Sequence, residues 1–185
     1  MKLKNWNKWF NTVAAVIGLI AVIFGGVWAA FQYLAKIADD KTRASISYVE
    51  RFNKPPLYDA RRCINAIWCK HDTELINVLT TKKNINEYRK YVLHVIHKEK
   101  MESDILALID FFDELEICIE RNICDRQTAY SFFDSHIEST YVLNYSYIEY
   151  LRNRWNDPNI ARKMESFSKK VRAYRKSLSI KNKEK

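Results

Sequence analysis

Residues 13–35, VAAVIGLIAVIFGGVWAAFQYLA, carry no charged side chain and a single amide, Gln32. As an α-helix rising about 1.5 Å per residue, this stretch is about 35 Å long, enough to cross the roughly 30 Å hydrocarbon layer of a bilayer. Trp6, Trp9 and Phe10 precede it, and Trp28, Phe31 and Tyr33 close it. Amphipathic rings settle where one edge stays wet, so both membrane interfaces are marked. The pattern predicts one N-terminal transmembrane helix in contact with membrane lipids.

Within that stretch Ala14, Gly18, Val22, Gly26 and Ala30 follow at four-residue steps, and Ala21, Gly25 and Ala29 form an adjacent row. Small side chains at this spacing let a second helix approach closely. Gly18, Gly25, Gly26, Ala14 and Ala30 are therefore the candidate packing residues of a homo-oligomer. The alternative is that Gly and Ala are merely common in spanning helices.

A cleaved signal peptide would also begin with Lys2, Lys4 and Lys8 before an apolar run, with Val27-Trp28-Ala29 as a cleavage site. The apolar run is too long for that, and its leading edge is crowded with aromatics. The orientation signal is nearly balanced: three lysines and the free amine before the span against Lys36, Lys41 and Arg43 after it. Cys63 and Cys69, like Cys118 and Cys124, are six apart in apolar helical surroundings that suit reduced, buried thiols, although an even cysteine count leaves an oxidised, exported domain open. Those thiols and a basic C-terminal segment lead to the expectation of an inner-membrane protein with a cytoplasmic domain.

All three glycines lie inside the span, so the chain from Asp39 onward has none. Hairpins depend on glycine for positive φ, and the fold class expected is all-α: one transmembrane helix followed by a soluble antiparallel helical bundle. The organisation expected is an anchor at 1–36, a bundle at 37–180 and a frayed basic tail at 181–185. The 185 residues carry a formal net charge of +9, and residues 161–185 alone hold ten basic and two acidic side chains. A uniformly basic domain is thereby excluded.

Past the span, Ala44, Tyr48, Val49 and Phe52 keep helical spacing until Pro55-Pro56. Pro56 can open a helix with the stripe Leu57, Ala60, Ile64, Ile67 and Trp68, after which Asp72 would cap a short piece holding Leu75, Ile76 and Leu79. TTKKN at 80–84 reads as a connector. A third helix from Ile85 to His97 carries Tyr88, Tyr91, Val92, Val95 and Ile96. A fourth, Ser103 to Arg121, carries Ile105, Leu108, Phe112, Leu115 and Ile119 and looks central. Between Glu102 and Glu120 stand seven acidic residues and no basic one, predicting a negative outer face. Asp125 is placed to cap a long helix with Ala129, Phe133, Ile137, Thr140, Tyr147, Ile148, Leu151 and Trp155 inward and a bend near Asn144. After the break Asn156-Asp157-Pro158-Asn159, a last helix carries a narrow seam of Ile160, Met164, Phe167, Val171, Tyr174 and Leu178.

Candidate chemistry is sparse. Arg89 and His94 have the arginine-x4-histidine spacing of HEPN ribonucleases, where the arginine meets phosphate and the histidine moves a proton; the plain reading is a solvent-facing Arg89 and a partly packed His94. Asp110, Asp113 and Glu114 with His94 and His97 lack any Glu-x-x-His pair, so they read as a solvated acidic face and surface histidines rather than a di-metal site. The cysteine spacing does not suit zinc. Without glycine there is no phosphate loop, and no serine sits in a nucleophile elbow. No cofactor, metal or catalytic residue is expected, and a non-enzymatic protein is. Arg162, Lys163, Lys169, Lys170, Arg172, Arg175 and Lys176 form a basic contact face that could be simply solvated, lie on anionic lipid, meet nucleic acid, or dock on the acidic helix 102–120.

The run Ile105 to Trp155, ILALIDFFDELEICIERNICDRQTAYSFFDSHIESTYVLNYSYIEYLRNRW, resembles a bacterial family of unknown function, domain number 4760. Shared features are one N-terminal span, an arginine-and-tyrosine helix, an acidic FF-x-E helix and a long aromatic helix ending near a tryptophan. Small membrane-anchored proteins similar to this one occur as effectors of bacterial anti-phage systems, retrons included. The resemblance implies a toxin-like, abortive-infection effector that perturbs the inner membrane under control of a protein or nucleoprotein encoded nearby. The other readings are a tethered HEPN-like ribonuclease and a membrane scaffold or signalling adaptor.

Overall fold

In the computed structural model the backbone is described for residues 3–82 and 84–181, and side chains from residue 17 onward except those of 19, 81–83 and 181–185. Lys2, Lys4, Trp6, Lys8, Trp9, Phe10, Ala14 and the 182–185 tail, about which the sequence raised expectations, lie outside what is described in full. Six helices follow in order: α1 (Leu3–Phe52), α2 (Leu57–Lys82), α3 (Ile85–Lys98), α4 (Glu102–Glu120), α5 (Arg126–Trp155) and α6 (Arg162–Lys181). No strand occurs among the described residues. The chain divides into two units, 1–41 and 42–185.

The described residues of the first unit all belong to α1. From Ile20 onward α1 is long and apolar enough to cross a membrane, and none of its apolar window is buried. Phe24, Trp28, Phe31 and Tyr33 are each about two-thirds or more exposed.

The second unit is the bundle, and every member of its hydrophobic core lies between Ala44 and Tyr174. The last turns of α1 deliver Phe52, fully buried, to a nest of rings. Phe52 lies 5.1 Å from Phe111 and 5.1 Å from Phe133, and Phe112 closes the group at 5.7 Å. Such offset and edge-on pairs add to the stabilisation that burial alone provides. Helix α4 is central, as its apolar seam implied: it packs on α2, α5 and α6, while α3 packs on α2 and α5. Ile105, Leu108, Phe112, Leu115 and Ile119 are all buried, and Phe111 and Ile109 join them.

The ends of the helices show how a glycine-free bundle turns its corners. Lys100, Asn122, Asn156 and Ala161 take positive φ of 57°, 59°, 49° and 56°, positions where glycine is the usual choice. Asn84 caps α3 by accepting the Asn86 N–H at 2.9 Å, and Asp125 caps α5 by accepting the Thr128 N–H at 2.7 Å. Helix α6 has its cap supplied from elsewhere: Asp113 of α4 accepts the Met164 N–H at 2.6 Å. The Pro55–Pro56 bond between α1 and α2 is cis.

Three local expectations are corrected, the Asp72 cap, the 80–84 connector and the inward Trp155. Helix α2 runs unbroken to Lys82, so Asp72 is an interior residue and no cap, and most of 80–84 is helix. Packing of Leu75 and the burial of His71 reward continuing the helix past Asp72. Helix α5 continues through Asn144, whose Nδ2 donates to Thr140 O at 2.8 Å inside the helix. Trp155 is 56 % exposed, not inward, since its helix ends there.

Candidate functional site

Two surfaces were singled out by sequence, and each resolves differently. On α1, Gly18, Gly25 and Gly26 are exposed, and a methyl group added to any of them would meet no atom within 4 Å. Ala30 is exposed as well, and the side chain of Ala14 lies outside the described residues. A glycine inside a helix costs roughly 0.5–1 kcal/mol relative to alanine. Among the described residues, no atom occupies the space those glycines leave.

The basic last helix docks inward on acidic neighbours. Lys170 pairs with Glu116 and Glu120 of α4, and Lys163 with Glu120. Arg175 grips Asp134 and Glu138 of α5, and Arg172 reaches Glu138 at 3.0 Å. Lys169 pairs with Glu165 one turn back, Arg162 donates to Asn159 at 3.0 Å, and Lys176 is exposed without an acidic partner among the described residues. Thus, of the four uses open to the seven cations, docking on the acidic helix takes Lys163 and Lys170, while Arg172 and Arg175 are taken by α5.

The acidic residues of α4 divide: Asp110, Glu114 and Glu120 are exposed, while Glu116 and Asp113 turn toward α6. Glu116 is fully buried, accepting from Lys170 and from Ser166 Oγ at 3.1 Å, with its second carboxylate oxygen unpartnered. Burial pushes the Asp113 carboxyl above its usual range despite the Met164 N–H it accepts. Hydrogen bonding to Lys163 holds Glu120 below that range, and hydrogen bonding to Lys169, then Arg152, does the same for Glu165. Arg152 itself bridges Glu149 and Glu165 at 3.0 Å each and donates to Ile160 O, locking the α5–α6 corner.

A cluster that sequence reading missed joins α2 to α3. His71, 7 % exposed, sets Nδ1 3.2 Å from Glu74 and 3.1 Å from the Tyr91 hydroxyl, and Nε2 3.2 Å from Glu99. The Tyr91 hydroxyl donates to Glu74 at 2.5 Å, and Lys70 covers Glu99 at 3.0 Å. Burial, and then the Glu74 bond, push Tyr91 up to about 12. The signal was available: Ile64, Trp68 and Leu75 bracket His71 on one stripe once α2 is drawn without a break. Its two ring nitrogens face different carboxylates, so the cluster is a clamp between helices and its ligands do not converge on one point.

Arg89 and His94 are both exposed on α3, Arg89 being the solvent-facing residue that the plain reading expects. Five residues turn a helix by about 140°, and Arg89 lines a cavity to which His94 does not contribute. No group of three or more His, Cys, Asp or Glu side chains suited to a metal occurs among the described residues. His94 and His97 are both exposed, with His97 Nδ1 against Leu93 O at 2.7 Å.

The cysteines depart from the expectation of four reduced, buried thiols. Cys118 and Cys124 form a disulfide across the α4–α5 turn, whose left-handed residue Asn122 brings the ends round. Cys63 and Cys69 are free and exposed on α2.

Compared with known proteins, residues 19–171 match the family described as a domain of unknown function, DUF4760. The chain belongs to that family. The match takes in α1 from residue 19 onward as well as most of the bundle. No curated protein and no solved structure matches the chain.

Proposed function

We propose that this protein is a single-pass, membrane-anchored helical effector whose span self-associates through Gly18, Gly25, Gly26 and Ala30, with Ala14 continuing the row, and thereby perturbs the inner membrane. The observation that carries it is the unpacked small-residue face of α1: three helix-weakening glycines in open space, on a helix whose apolar window is wholly unburied. A helix without intrachain partners gains from a neighbouring copy only if backbones approach closely, which those glycines permit. The bundle would take the controlling signal or partner, and it does so as a non-enzymatic module, since its best-buried charged groups are spent on packing α6 and α3. The defence setting, an abortive anti-phage response, comes from the resemblance to small anchored effectors.

The proposed topology places the bundle outside the cytoplasm, the alternative that the even cysteine count left open. A Cys118–Cys124 disulfide suits an oxidising compartment, and the lysines before residue 13 then form the cytoplasmic flank.

Expression in a bacterial host tests the reading. Membrane depolarisation and crosslinked oligomers are expected, both lost with Gly18→Leu/Gly26→Leu while the chain stays in the membrane pellet. A full-length product that is soluble after gentle lysis, or depolarisation that survives replacement of the span by an unrelated one, overturns it.

A further inference from the structure

Between α3 and α5 lies an open cavity of about 250 Å³ lined by Ile85, Tyr88, Arg89, Tyr141, Val142, Tyr145 and Ser146. Its walls are nearly all apolar, yet Ile85 and Val142 are 58 % and 52 % exposed. Tyr141 and Tyr145 stand edge to face, with centroids 5.8 Å apart. The one charge at the cavity is Arg89, which has no hydrogen-bond or ion-pair partner among the described residues. Arg51, Arg152, Arg172 and Arg175 hold carboxylates, whereas Arg89, like Arg62, Arg121 and Arg126, holds none among the described residues; of these four only Arg89 stands beside an apolar cavity.

We infer that this cavity is a binding site for a small organic anion built on a single flat ring. Three features choose that class. The tyrosine rings and two aliphatic side chains offer faces for an apolar ring, and their exposure leaves apolar area for a ligand to cover. The guanidinium is permanently charged, forked and unpaired, and such a fork binds a carboxylate through two parallel hydrogen bonds. No acidic side chain is among the described residues that line the cavity, and Glu165, which meets Tyr141, is itself paired with Arg152 and Lys169. The volume falls just below the usual range for drug-sized ligands, which limits the guest to about one ring with a short acidic arm.

This site goes beyond the anchor reading and does not depend on it, because it lies wholly within the bundle. Phenylacetate, 2-phenylethanol and 2-phenylethylamine present one ring with an anionic, a neutral and a cationic arm. Each is titrated into the full chain in phosphatidylcholine nanodiscs by ligand-observed NMR, with empty nanodiscs subtracted. Phenylacetate is expected to bind at least about tenfold more tightly than the other two. Arg89→Met keeps the apolar stem and should erase that preference, leaving 2-phenylethanol within twofold. Val142→Glu, on an exposed position, should abolish phenylacetate binding while the melting temperature holds. Equal binding of all three probes, or a preference that survives Arg89→Met, overturns the inference. So does absence of binding together with self-association that Val142→Glu abolishes, which would assign the patch to a second copy.

Discussion

Replacing Lys170 by methionine tests the idea that α6 is held by a buried carboxylate and not by its apolar seam alone. Glu116 is fully buried and its carboxylate has two partners, the Lys170 ammonium and the Ser166 hydroxyl. In Lys170→Met the anion keeps one neutral hydrogen bond, and its second oxygen is already unpartnered. Stranding a buried charge costs about 3–5 kcal/mol. Because the Lys170 side chain is 42 % exposed, water can enter from that side, which places the expected loss near the low end, about 3 kcal/mol. Glu116→Gln should cost only about 1 kcal/mol, because Lys170 retains Glu120 and solvent. The double variant should resemble Glu116→Gln, since the stranded charge is gone. Urea unfolding of residues 42–185, followed by far-UV circular dichroism, measures all three. Equal losses in the two single variants, or a Lys170→Met loss under about 1 kcal/mol, would refute the claim that desolvated charge dominates this contact.

Other outcomes are open to simpler measurements. Phe52→Ala removes the ring at the centre of the aromatic nest and should cost about 3–5 kcal/mol in the same urea assay. Lys100→Gly relieves a left-handed residue at an exposed corner, and a gain of about 0.5–1 kcal/mol should appear as a rise in melting temperature of a few degrees. Reducing Cys118–Cys124, which closes a loop of sequence separation 6, should lower stability by about 2 kcal/mol and leave Cys63 and Cys69 variants no less sensitive. The folded-state carboxyls of Glu120 and Glu165 lie below their unfolded range, so their stabilisation is complete above about pH 4.5 and fades as pH falls through the lowered values. Asp113, raised by burial, acts with the opposite sign, favouring the fold at low pH. A melting temperature that falls from pH 6 to pH 3, and falls less in Glu120→Gln, checks the balance.

Most of the architecture could be read from residue patterns because they repeat locally. A charge-free run such as 13–35 has one physical solution at a bilayer, and stripes such as Ile105, Leu108, Phe112 and Leu115 disclose the buried side of a helix without reference to its partners. Asp125 announced its own capping role, since the acceptor and the N–H it satisfies are three residues apart. What the pattern could not reveal were interactions between residues far apart in the chain. Whether Lys170 met lipid, nucleic acid or Glu116, 54 positions away, depends on which helix faces α6. Asp113 as the cap of α6, and His71 between Glu74 and Glu99, are decided the same way, by packing that sets side chains from different helices within hydrogen-bonding distance. The amino-acid order alone fixed an oily first helix and an all-α bundle, because hydrophobic periodicity and the absence of glycine act over a few residues. Tertiary structure alone decided which charges neutralise one another and left Arg89 unpaired beside three tyrosines, because Coulomb and hydrogen-bond partners are chosen by distance in space.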